Sequence, residues 1–147
     1  VKIEFSVLGV PAPQGSKRGI VNKYTNRVAM IESSKKVKPW RDDVARAAED
    51  AMMRGAIFTD AFPLKRPLTV TVTFMFLRPA AHINTKGGLR PSAPVHLSKR
   101  PDLDKLLRST FDALTSRLWV DDAQIVHVVA RKKFGETSGA HIVVEEL

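Results

Sequence analysis

The chain has 147 residues, of which 44% are apolar, enough for one domain with a real core and too many for a disordered polycation. Its 24 Lys and Arg outnumber 15 Asp and Glu for a net charge of +9. The absence of cysteine excludes a disulfide framework, a thiolate zinc site and a cysteine nucleophile. The opening VKIEFSVLGV alternates Ile3, Phe5 and Val7 with Glu4 and Ser6, as a half-buried strand does. It has no charged leader followed by a long apolar core, so no signal peptide is read and a cytoplasmic protein is expected. No apolar run reaches the roughly 18–20 residues of a membrane-spanning helix. Next comes VPAPQGSKRG, a breaker-rich loop with Lys17 and Arg18 at its tip. Residues 20–31 hold a Tyr-Thr-Asn-Arg turn between short apolar pieces and predict a hairpin.

A helix is predicted from near Pro39, because proline suits a first turn. Trp40, Val44, Ala47, Ala48, Ala51 and Met52 follow its spacing, and Gly55 closes it. Residues 67–77 alternate Leu68, Val70, Val72, Phe74 and Phe76 with threonines and form the clearest strand. Residues 78–100 are rich in proline and basic side chains, with Gly87 and Gly88 adjacent and no apolar periodicity. They read as a long mobile basic loop, either functional or disordered. A second helix is predicted over 102–117, where Leu103, Leu106, Leu107, Thr110, Phe111 and Leu114 line one face. Asp121 and Asp122 make a turn, and 124–134 and 140–146 read as two strands joined through Gly135–Gly139. The order strand, hairpin, helix, strand, helix, strand, strand predicts an α+β domain, a mixed sheet packed by two main helices.

The charge is segregated. Residues 1–41 sum to +7, 42–62 to −3, 63–101 to +7 and 102–147 to −2. Two long stretches nearly free of carboxylate point to a polyanion partner, since Lys and Arg on phosphates release condensed counterions. Lys17, Arg18 and Lys23 in the first stretch, and Lys99 and Arg100 in the third, are candidate phosphate contacts. Arg131, Lys132 and Lys133 break the alternation of their strand and mark either a DNA-facing end or a protected edge. The four histidines have no ligand spacing.

Against this basic background, Asp102, Asp104, Asp121 and Asp122 fall within 21 residues. Asp102 after Pro101 sits where a helix cap would stand, and an Asp-Asp pair is at home in a turn. Crowded carboxylates otherwise call for a neutralising cation, and an oxygen-only ligand set suits Mg²⁺ or Mn²⁺. A metal held beside a DNA-binding surface is the arrangement for phosphodiester hydrolysis.

The string PDLDKL, then Asp112-Ala113-Leu114, then VDDAQIV followed by basic residues, resembles the RusA family of Holliday junction resolvases over most of the chain. That resemblance implies a small homodimer of phage or prophage type that binds DNA four-way junctions. It would make paired symmetric nicks with Mg²⁺, or Mn²⁺ in its place, and use no small-molecule cofactor. The family's essential aspartates fall on Asp102, Asp104 and Asp122, with Asp121 either assisting or shaping the turn. Where the family often has Asn, this chain has Lys105, a further candidate DNA contact. Where the family has a functional Lys, it has Arg108, which keeps the charge but is a poor proton donor. Two other functions remain consistent with the residues: a junction-binding protein with weak catalysis, and a nuclease for other branched DNA.

Overall fold

The computed structural model describes residues 1–15, 18–21, 24–25, 28–31, 35–55 and 60–147. Strand β1 (Lys2–Leu8) is followed by a hairpin of β2 (Arg18–Val21) and β3 (Val28–Ile31), then helix α1 (Val37–Arg54). After β4 (Leu68–Phe76) come helix α2 (Leu103–Leu114), β5 (Ile125–Phe134) and β6 (Gly139–Glu146). The α+β architecture is the one the apolar periodicities predict. Helix α1 starts two residues before Pro39, with Pro39 inside its first turn, where a missing N–H leaves no bond unmade.

The main sheet runs β1-β6-β4-β5, antiparallel except for the parallel pair β4 and β5. Chain reversal between β4 and β5 requires a crossover, and α2 supplies it. Alternation then sorts the side chains. Phe5 and Val7 of β1, Leu68, Val70, Val72 and Phe74 of β4, and Ala140, Ile142 and Val144 of β6 turn to the helix side and are buried. The threonines of β4 take the opposite face. Trp40, Val44 and Ala48 of α1 and Leu106, Ala113 and Leu114 of α2 complete the core. Trp40 donates its indole N–H to Thr110 Oγ1 at 3.1 Å, so the two helices are joined by a hydrogen bond inside that core.

The 78–100 segment is not structureless. A short 3-10 turn at Ala80–His82 leads into a bridge between Ile83 and Leu89, and the Asn84 carboxamide accepts from the N–H groups of Lys86 and Gly88. Arg78 stacks over the Phe134 ring at 4.3 Å and donates to the Pro94 carbonyl, while His82 meets Phe134 edge-on. Local side-chain-to-backbone bonds replace apolar periodicity as the organising force, which is why the pattern alone reads as a loop. No described helix is long and apolar enough to cross a membrane.

Gly139 opens β6 where β1 passes closest. A Cβ there would lie 2.0 Å from the Val7 carbonyl oxygen, a contact that backbone alone must relieve. Gly139→Ala is expected to lower stability by about 2 kcal/mol or more, read as a shift in the urea unfolding midpoint with unchanged slope.

Candidate active site

The start of α2 is held by β5 and by the loop after β1. Lys132 on β5 donates its ammonium to the carbonyls of Lys99 and Pro101, at 2.6 and 2.8 Å, and so straps the segment that leads into the helix. The Gln14 N–H donates to the Lys105 carbonyl at 3.0 Å, and the Ser109 hydroxyl donates to the Ala12 carbonyl. The Pro-rich loop after β1 is thereby laid along the helix. Asp102 occupies the N-cap position, yet its carboxylate makes no capping hydrogen bond. It is half exposed, with Lys105 Nζ at 3.5 Å. Asp104 follows in the first turn, exposed, and Arg108 stands one turn on. The described ion pairs at this end include Lys105 with Asp102 but not Asp104 with Arg108. A cleft of about 490 Å³ opens here, lined among others by Pro11, Pro13, Lys36, Arg100, Asp102 and Lys105. Its charge is basic around an acidic point.

The opposite end of α2 carries the other acids. Ser116 takes a left-handed φ of 67° and turns the chain out of the helix. Asp121 caps a short 3-10 turn at Asp122–Gln124, accepting from the Ala123 N–H at 2.9 Å. Gln124 answers it, accepting from the Val120 and Asp121 N–H groups and donating to the carbonyls of Leu64 and Arg66. Asp121 therefore shapes the turn. Asp122 Oδ1 accepts from the indole N–H of Trp119 at 2.8 Å and from the hydroxyl of Thr115. Trp119 is fully buried, edge-on to Phe111.

These two ends do not meet within one chain. Asp104 lies in the first turn of α2 and Thr115, the partner of Asp122, lies just past the last. At the rise of an α-helix that separates them by about 16 Å. Among the described residues no group of three or more His, Cys, Asp or Glu side chains is placed to hold one metal ion. The expected set of Asp102, Asp104, Asp121 and Asp122 is thus divided into a pair at each end of the helix. Asp102 and Asp104 remain suited to a hard cation that takes one or two carboxylates and fills its shell with phosphate and water oxygens.

Of the expected DNA contacts, Lys99, Arg100 and Lys105 surround the Asp102 end. Lys17, Lys23 and the side chain of Arg18 lie outside the described residues. Lys36 was not singled out by sequence, since it precedes the apolar stripe of α1. Lys132 acts on the backbone rather than on a ligand, and its sign was its place in register with Phe74, on the helix side where a cation is out of pattern.

The Asp122 hydrogen bonds give a separable test of structure and chemistry. Asp122→Ala leaves the Trp119 N–H without its acceptor and is expected to cost about 1–2 kcal/mol in chemical denaturation. Asp122→Asn keeps an oxygen in place and is expected to hold the melting temperature near that of the unaltered protein.

The chain is 26% identical to an uncharacterised protein, YqaN, of Bacillus subtilis (strain 168), across 99% of this chain and 96% of that protein. The family model described as endodeoxyribonuclease RusA matches residues 11–145, a span that runs from the Pro-rich loop through both acidic ends of α2 to the last strand. The basic cleft, the two carboxylate pairs and this match together place the chain in the RusA endodeoxyribonuclease family.

Proposed function

We propose that this protein is a Mg²⁺-dependent endodeoxyribonuclease that works as a homodimer and resolves four-way DNA junctions by paired symmetric nicks. The observation that carries the reading is the uncapped Asp102 carboxylate, with Asp104 in the same turn, facing a cleft rimmed by Lys36, Arg100 and Lys105. A carboxylate at an N-cap ordinarily accepts from the backbone, and one that does not is available to another partner. A divalent cation at the pair would polarise a phosphoryl oxygen and supply hydroxide.

The chain's own residues do the positioning. Lys36, Arg100 and Lys105 receive phosphate oxygens along the cleft and set the backbone of the DNA across the acidic end. Lys132 keeps residues 99–101 in place, so that Arg100 and Asp102 hold a constant spacing. Arg108 adds positive charge one turn behind Asp104, where it offsets the crowding of carboxylate and phosphate. Two nicks related by symmetry on a four-way junction call for two such sites, and a two-fold dimer provides them.

Arg108 also motivates the second reading, a junction-binding protein with weak cleavage, because a guanidinium does not readily give up a proton. A synthetic four-way junction with Mg²⁺ or Mn²⁺ separates the readings. Symmetric paired nicks are expected, abolished in Asp104→Asn while junction binding in a mobility-shift assay persists. Tight binding without nicks, restored by Arg108→Lys, establishes the weak-catalyst reading instead. Preferential cutting of forked over four-way DNA assigns the enzyme to other branched substrates.

A further inference from the structure

Asp122 is exposed, yet two donors from rigid parts of the fold converge on one of its oxygens. The Trp119 indole N–H meets Oδ1 at 2.8 Å, and the Thr115 hydroxyl meets the same atom. Among the described residues no donor is bonded to Oδ2. Water solvates an exposed carboxylate without help, so satisfying its charge does not call for either donor. The neighbouring Asp121 is treated differently. Its carboxylate takes the Ala123 N–H and closes a turn.

Neither donor is free to move. The Trp119 ring is fully buried and meets Phe111 edge-on, with centroids 5.6 Å apart. Leu64 brackets it, donating to the Leu118 carbonyl at 2.8 Å and accepting from the Val120 N–H at 3.2 Å. The Trp119 carbonyl accepts from the Ser116 N–H at 2.7 Å. Thr115 is the C-cap of α2. Its hydroxyl also lies 2.9 Å from the Phe111 carbonyl, but a hydroxyl has one proton to give. That carbonyl already accepts from the Thr115 backbone N–H at 2.9 Å, and a bond to a carboxylate is charge-assisted and stronger. The proton therefore goes to Asp122.

We infer that Thr115 and Trp119 are positioning residues, which hold Oδ1 of Asp122 so that Oδ2 is the one oxygen this residue presents to the nicking reaction. Two donors on a fixed frame, meeting at one atom, set both side-chain torsions of the aspartate. An unheld aspartate samples several rotamers and offers either oxygen. One held by outer donors keeps a single orientation before the substrate arrives. The inference rests on the nuclease reading above, with Asp122 among its essential carboxylates. The hydrogen bonds themselves stand on the fold alone.

Thr115→Val keeps the shape of the side chain and removes its hydroxyl. Single-turnover nicking of a four-way junction in Mg²⁺ is expected to slow by about tenfold to a hundredfold, with junction binding in a mobility-shift assay unchanged. Thr115→Ser restores the hydroxyl and is expected to nick at the rate of the unaltered protein. Trp119→Phe keeps a ring against Phe111, removes the N–H and is expected to show the same loss. Thr115→Val decides the case alone where Trp119→Phe fails to fold. A readout free of activity comes from the indole N–H signals in an NMR spectrum. The chain has only Trp40 and Trp119, and Asp122→Ala is expected to move the Trp119 signal and leave that of Trp40 in place. Nicking at an unaltered rate by Thr115→Val overturns the positioning role and leaves the nuclease reading standing. Equal slowing in Thr115→Val and Thr115→Ser assigns the effect to packing and overturns it too, as does a Trp119 signal that ignores Asp122→Ala. An unaltered protein that binds junctions and never nicks them overturns the nuclease reading and the positioning role together.

Discussion

Helix α2 is fixed on its buried side by hydroxyls as much as by leucines. Thr110 accepts from the Trp40 indole and Ser109 donates to the Ala12 carbonyl, both fully buried. A buried hydroxyl without a partner is costly, so these bonds set both the rotation and the height of α2 against α1 and the loop after β1. Leu106 and Leu114 supply the apolar contact, which alone tolerates sliding. With rotation and height set, the exposed face of α2 is determined too: Asp104 and Arg108 outward, and Asp102 at the mouth of the cleft.

The same rigidity keeps the two acidic ends apart. A helix of twelve residues is a strut, and Thr115 and Trp119 hold Asp122 at its far end. The hydrogen-bond network of Asp121 and Gln124 reaches back to Leu64 and Arg66 and makes the turn stiff as well. No rotamer change closes a gap of about 16 Å along a helix. The aspartates that the family pattern groups together therefore serve different local structures within one chain. Strand β5 lies between them and runs from the turn at Asp121 and Asp122 toward the Lys132 strap at the entrance of α2.

Electrostatics and backbone geometry reinforce each other at the cleft. The carboxylates gain from the free N–H groups at the start of α2, and Lys36, Arg100 and Lys105 lie around them. Lys132 spends its charge on two carbonyls, which ties β5 to the entrance of α2 without adding a phosphate contact. The ordered 78–100 segment ends at this strap, so its Arg78–Phe134 stacking and its Asn84 turn belong to the same body as the site.

By itself the sequence determined the order and type of the elements. Alternation in 68–76 and the stripe of Leu106, Thr110 and Leu114 are local periodicities, and local sterics and apolar burial enforce them wherever the chain goes. It also determined the family, through the spacing of PDLDKL and VDDAQIV. Tertiary structure decided which carboxylates stay apart and what each one does. Asp102 was legible as a helix-start acid, but that it leaves its cap unmade depends on how Lys132 and Gln14 hold the first turn. Asp121 and Asp122 look alike in the chain. One caps a turn and the other takes the Trp119 indole, because only the path of the chain past Ser116 sets which oxygen faces which donor. Lys132 was legible as a cation out of pattern, and its partners, the backbone carbonyls of Lys99 and Pro101, are brought to it by the parallel pairing of β4 and β5. Contacts of that kind are set by packing over long sequence separations, and no local pattern records them.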